Sequence, residues 1–221
     1  MRISDSHAAR APRRPVTVST CLFLVVALWS TANSAQPELH VVQIEEDWEL
    51  VVDQPDANST APQVVCSFSP VGNVDSFHAT LEINHQNLPN FASGGLQLQL
   101  WDGESPLDSR PFNNDSVMDT AGEVVRWTQS IRIHDGRLTF QITNGHSTTW
   151  RDFGGTGFLR VRTTTRLTNL DGYNPDVSAD HSGVSYAANH VKTLALKEVR
   201  AHLSDGQVIK YTANRIVHSQ E

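Results

Sequence analysis

The stretch RWTQSIRIHDGRLTFQI, residues 126–142, decides the fold. Apolar residues recur at every second position on both sides of Asp135-Gly136, and an Asp-Gly pair supplies the two positive-φ residues of a type I′ turn. A two-residue loop fixes the register, setting His134 opposite Arg137, Ile133 opposite Leu138, Arg132 opposite Thr139 and Ile131 opposite Phe140. Apolar side chains then meet apolar side chains on one face, so turn chemistry and hydrophobic phase point independently to the same hairpin.

The same period extends outward. Phe77, Ala79, Leu81 and Ile83 alternate with Ser76, His78, Thr80 and Glu82; Leu96, Leu98 and Leu100 alternate with Gln97, Gln99 and Trp101; Leu159, Val161, Thr163, Thr165 and Leu167 alternate with Arg160, Arg162, Thr164 and Arg166. Each pattern suits a strand with one dry and one wet face. Asp205-Gly206 closes a second hairpin between 191–203 and 207–211, and the apolar phase slips between Leu196 and Val199, which predicts a bulge near Lys197-Glu198. Asn144-Gly145 is expected to mark a further turn. With no convincing amphipathic helix and no fixed repeat, the expected fold is all-β: a two-sheet antiparallel β-sandwich of the jelly-roll or lectin-like kind. The polar stretches 54–62, 84–94, 103–120 and 171–189 read as long loops gathered at its edges.

At the start of the chain, Arg10, Arg13 and Arg14 precede an apolar run from Val16 to Trp29 and a small-residue stretch from Ser30 to Ala35. That layout reads as a secretory signal peptide over 1–35, its apolar run shorter than the roughly 20 residues of a bilayer span, and leaves one domain over 36–221 that is secreted, periplasmic or extracellular; an uncleaved anchor is the alternative and would place the domain on the same side. Cys21 leaves with the leader, so Cys66 has no internal disulfide partner. Cleavage after Ala35 leaves 13 basic against 23 acidic side chains, which takes the formal charge from −7 to −10. Such a balance argues against nonspecific nucleic-acid binding and against anionic lipid.

Several residue sets are candidates for chemistry. Outward strand positions collect His78, Thr80, Glu82, Gln97, Gln99, Trp101, Arg126, Arg132, Thr139 and Gln141. Planar amide, guanidinium and carboxylate groups beside an aromatic ring suit a sugar. His78, Glu82, Gln97, Gln99, Trp101, Arg126 and Arg132 are therefore the ligand-binding candidates, with a solvated sheet face as the plain alternative. Arg160, Arg162 and Arg166 form a basic row that suits an acidic polysaccharide, although cross-strand pairing with Glu or Asp is the simpler expectation. Asp171, Asn174, Asp176 and Asp180 carry the oxygen donors of a structural calcium site, without EF-hand spacing; Asp115 and Asp119 form a weaker pair of the same kind. No zinc spacing, P-loop or dinucleotide fingerprint is present, and Gly183 to Ala187 lacks the last glycine of a nucleophile elbow. Trp127 shares the face of Ile131 and Ile133 and belongs in the core. Trp150 is expected to close one end of the sandwich.

Glu45, Asp47 and Glu49 lie at i, i+2 and i+4. The spacing resembles the Glu-x-Asp-x-Glu signature of retaining glucanases built on a lectin-like sandwich, and that resemblance implies the outer acids as nucleophile and acid/base. Glu46 departs from it, standing at a position usually apolar in that signature. A strand sets Glu45 and Glu49 about 13 Å apart at Cα, so their side chains would have to converge to the roughly 5 Å of a retaining pair. A solvated acidic edge is the alternative. The leading expectation is a secreted noncatalytic binding module for carbohydrate or another extracellular polymer. The alternatives are a glycan-cleaving hydrolase and a surface or matrix protein that binds an envelope partner.

Overall fold

The computed structural model describes residues 38–53, 62–85 and 94–220; the expected leader over 1–35 and most of the stretches 54–62 and 84–94 lie outside the described residues. Strand β1 (Val41–Val52) stands inside an antiparallel sheet with β6 (Val124–His134) on one side and β11 (Val191–Leu203) on the other. Beyond β6 come β7 (Arg137–Ser147) and then β8 (Arg151–Phe153) and β9 (Arg160–Thr164), which pair with opposite ends of β7. Beyond β11 come β12 (Val208–Tyr211) and β13 (Arg215–Ser219), completing eight strands. The second sheet has five strands in the order β10 (Gly183–Ser185), β2 (Gln63–Phe68), β3 (Phe77–Asn84), β4 (Gly95–Asp102) and β5 (Ser105–Asn113). Every strand pair is antiparallel.

The two sheets enclose one core. Leu50, Trp48, Trp127 and Phe140 from the larger sheet meet Phe68, Leu81, Ile83 and Leu98 from the smaller, all fully buried. Phe68 and Phe140 close edge-to-face with ring centroids 5.4 Å apart, which ties the layers together. Burying each such side chain contributes about 1.5–3 kcal/mol, and among the described residues Cys66 is a free, buried cysteine, so this packing holds them without a disulfide.

The 126–142 hairpin has the expected register at all four pairs, and Asp135 and Gly136 adopt φ of 49° and 67°. The β11–β12 hairpin forms around Gly206, and the expected bulge is present: Asp47 faces Glu198 while Trp48 faces Leu196, leaving Lys197 as the extra residue. Trp150 closes one end as expected, in a cluster with Phe112 and Phe153.

Three local expectations are corrected. Asn144-Gly145 is not a turn, because β7 runs through it; Asn144, at φ 49°, inserts one extra residue opposite β6 between the Arg126–His146 and Thr128–Thr143 pairs. The left-handed conformation that suits a turn also suits a bulge. Gly145 is required there, since a Cβ would lie 2.3 Å from the Phe153 ring. Residues 103–120 are not a loop throughout, because β5 occupies half of them. It is a largely exposed edge strand held by its backbone to β4, and it therefore shows no apolar alternation and tolerates Pro106 and Pro111. The stretch 171–189 contains a short helix α1 (Pro175–Asp180) capped by the Asn174 side chain, as well as β10. Six residues are too few to show a helical period in sequence.

Candidate functional site

A groove of about 690 Å³ crosses the outer face of the eight-stranded sheet. It exists because the core phase of each strand fixes the opposite phase outward: Ile44, Ile131, Ile133, Leu138, Phe140 and Val161 point in, so Gln43, Ser130, Arg132, Arg137, Thr139, Gln141, Arg160 and Arg162 point out. Cross-strand register then sets them in rows. One row runs Gln43, Arg132, Thr139, Arg162, and the next runs Glu45, Ser130, Gln141, Arg160. Gln141 is oriented by a 2.7 Å hydrogen bond from Nε2 to the Gly155 carbonyl. Arg132, Arg137 and Arg162 are exposed, and among the described residues none of the four arginines has a carboxylate within ion-pair distance.

Beside the groove the same face carries the acidic triplet. Glu45, Asp47 and Glu49 do share one face, but β1 is an interior strand, so the expected solvated edge is corrected. Arg200 from β11 donates from Nε to Glu45 at 2.9 Å, from Nη2 to Asp47 at 2.8 Å and from Nη1 to Glu198 at 2.8 Å. Arg126 donates to Glu49 at 2.8 Å, with Lys197 Nζ 3.7 Å from the other oxygen. Burial pushes the Glu45 and Asp47 carboxyls up, but hydrogen bonds from Arg200, joined by His202 at Glu45 and Thr128 at Asp47, outweigh it and hold both below their ordinary values. A general acid needs the opposite shift.

Glu46, between them in sequence, points into the sandwich and is 1% exposed. Its Oε1 accepts from Tyr173 Oη at 2.8 Å and from Ser178 Oγ at 2.5 Å; its Oε2 accepts from Trp48 Nε1 at 3.0 Å and Gln129 Nε2 at 3.1 Å. Burial outweighs these donors and raises its carboxyl above the usual range. The network fastens α1 and the Tyr173 segment to β1 and β6. It is a structural anchor missed in sequence, although Glu46 stands on the phase of Ile44, Trp48 and Leu50, and that phase was the available signal.

The ligand-binding candidates divide. Arg126 and Arg132 lie on the eight-stranded face, whereas His78, Glu82, Gln97, Gln99 and Trp101 lie on the outer face of the five-stranded sheet, on the other side of the sandwich. The anticipated single patch is therefore two. On the five-stranded side His78 stacks on Trp101 with centroids 6.5 Å apart and Glu82 faces Gln97. His78 and Thr80 are buried there, Trp101 is half-buried, and burial raises the Glu82 carboxyl. Of the basic row, Arg160 and Arg162 line the groove, while β9 ends at Thr164 and Arg166 borders a separate cleft with Val71 and Phe77. The expected cross-strand pairing to acids is corrected: Arg160 faces Gln141 and Arg162 faces Thr139.

Three of the four oxygen donors of the 171–180 segment have partners of their own. Asp171 accepts from the Val41 amide and contacts His40 Nδ1, both at 2.7 Å; Asn174 caps α1; Asp176 pairs with Arg215; and Asp180 ends the helix. Among the described residues no group of three or more His, Cys, Asp or Glu side chains is arranged to hold a metal ion, and no helix is long and apolar enough to cross a membrane.

No protein-family model matches the chain, and no curated protein sequence does. Among solved structures, an ancestral congerin is similar over 79% of this chain and 96% of its own, at 14% identity and a TM-score of 0.30. Scytalido-glutamic peptidase, solved with a peptide-based transition-state analogue, is similar over 80% and 85%, at 8% identity and a TM-score of 0.33. The two-sheet antiparallel sandwich rests on the strand pairing above, and a shared architecture of this kind assigns no residue its role.

Proposed function

We propose that this chain is a secreted, noncatalytic module that binds an extracellular polysaccharide in the groove across β1, β6, β7 and β9. The observation that carries the reading is the groove's lining: amide, hydroxyl and guanidinium groups from four adjacent strands, presented on a rigid sheet and open to solvent. Such groups match the hydroxyl edges of sugar rings. A flat, open groove suits a polymer lying across the strands better than a small molecule that must be enclosed. The neighbouring carboxylates support binding rather than cleavage, since each is engaged within the fold, Glu45 and Asp47 by Arg200 and Glu49 by Arg126 and Lys197.

The test is retention of the purified chain on a panel of immobilised polysaccharides, run with calcium and with a chelator. Selective, saturable retention that weakens in the Thr139→Ala, Gln141→Ala double variant is expected. Equal retention with chelator is expected as well, because Asp171 and Asp176 already have protein partners. Retention on no member of the panel would overturn the reading. New reducing ends that disappear in Glu45→Gln would replace it with the hydrolase.

A further inference from the structure

The groove is more selective than its hydroxyl and amide lining requires. Arg132 on β6, Arg137 on β7, and Arg160 and Arg162 on β9 place four guanidiniums around it. The acidic groups on its rim are Glu45, engaged by Arg200, and Asp135, whose Oδ2 lies 3.2 Å from His134 Nε2. Neither contacts any of the four. Between β11 and β6 on the same face each carboxylate is engaged by a cation, Arg200 alone serving three, and in a chain with more acids than bases an unmatched cluster of four arginines is the exception.

Its geometry is regular. Arg160 and Arg162 are two residues apart along β9, about 7 Å, and Arg132 and Arg162 occupy one row two strands apart, about 10 Å. Thr139 lies between Arg132 and Arg162 in that row, so donors to neutral oxygens alternate with donors to charged ones. A guanidinium fork binds planar carboxylate or tetrahedral sulfate through paired N–H donors. The lining includes no Trp, Tyr or Phe. Base stacking therefore has no platform there, which separates a glycan polyanion from a nucleic acid at this groove.

We infer that the groove takes an acidic polysaccharide, carboxylated or sulfated, whose charges are held by Arg132, Arg137, Arg160 and Arg162 across β6, β7 and β9. This rests on the glycan-binding reading above and adds the chemical class of its ligand. Binding is then salt-dependent, since each phosphate-like or carboxylate contact releases counterions.

The test compares polygalacturonate, dextran sulfate, uncharged dextran and a single-stranded oligonucleotide, titrated against the full chain at low and at moderate salt. Expected are binding of polygalacturonate or dextran sulfate but not dextran, loss of affinity by at least tenfold between about 0.05 and 0.2 M salt, and a further loss of about tenfold in Arg132→Ala/Arg162→Ala. Lys210→Ala removes one positive charge from the same face outside the groove and is expected to keep wild-type affinity. Salt-independent binding of dextran would overturn the charge inference and leave glycan binding standing. Failure of every polysaccharide, neutral and charged, would overturn both. Polyanion binding unchanged in Arg132→Ala/Arg137→Ala/Arg160→Ala/Arg162→Ala would overturn the location, and preference for the oligonucleotide would overturn the ligand class.

Discussion

Between β11 and β6, Glu45, Asp47, Glu49 and Glu198 stand among Arg200, Arg126 and Lys197, and each of these carboxylates touches a cation. Between β6 and β9, on the same outer face, Arg132, Arg137, Arg160 and Arg162 face Gln, Thr and Ser. Both regions are strand surfaces rich in long charged side chains. What separates them is the cross-strand partner that register assigns to each residue. In one region charge is consumed by the fold, and in the other it is left for something outside it. Glu46 supplies a third case, a carboxylate stabilised by neutral donors with no cation touching it.

The most buried of these carboxylates is also the most costly to remove. Glu46→Ala leaves four donors without their acceptor in the core and is expected to cost about 3–5 kcal/mol in chemical denaturation; a loss under about 1 kcal/mol would mean that the network does not hold α1 in place. pH sharpens the same point. Because burial raises the Glu46 carboxyl in the folded state, its ionisation opposes folding: its contribution is full below the ordinary value of 4.5 and declines as pH rises toward the folded value. Glu82 acts with the same sign, as does Glu123, a buried acid just before β6 that accepts from Trp150 Nε1 and Ser147 Oγ, while Glu45 and Asp47, held low, contribute above their ordinary values and lose that contribution as pH falls through their folded ones. The unfolding free energy of Glu46→Gln should accordingly decline less steeply above pH 4.5 than that of the parent chain.

Arg200→Ala removes the shared partner of three half-buried carboxylates and is expected to cost about 2 kcal/mol, between the values for exposed and buried pairs. Arg126→Ala, on a more exposed guanidinium, should cost under about 1 kcal/mol. The smallest effect belongs to the groove: Arg132→Ala/Arg162→Ala should leave thermal stability within about 0.5 kcal/mol of the parent while reducing ligand affinity. A large stability loss there would show that these arginines serve the fold after all, and the contrast between the two halves would fail.

How far the sequence could be read follows the range of the interactions. The 126–142 hairpin was legible because its register depends on a two-residue turn and on phases within 17 residues of each other. The Lys197 bulge was legible for the same reason, as a slip of parity in one apolar run. β5 was hidden because an edge strand with few buried residues keeps its pairing in the backbone, and side-chain pattern does not report backbone pairing. The division of the candidate patch was hidden by strand order: nothing near Gln99 or near Arg132 says that they belong to different sheets. Arg137 lies two residues from Thr139 and four from Gln141, so strand parity alone sets it on the outward phase of the groove. Glu46 departs from the glucanase signature, and the same parity, shared with Ile44, Trp48 and Leu50, points it into the core.

The extra residue at Lys197 also gives the molecule a tolerance of a different kind. Along β11, Leu194 and Leu196 face the core before it and Val199 faces the core after it, an interval of three where a regular strand would need two or four. The bulge is what reconciles that odd interval with the two faces. Were β11 to run through it as a regular strand with Lys197 kept, Val199 would turn to solvent and Arg200 would turn toward the apolar layer, away from the acids it now neutralises. Loss of Lys197 itself would leave an interval of two, with Val199 still in the core and Arg200 still among its acids. In a gene encoding this chain, an in-frame loss of the Lys197 codon would thus be read without a change of face, the strand losing its irregularity and keeping both of its surfaces.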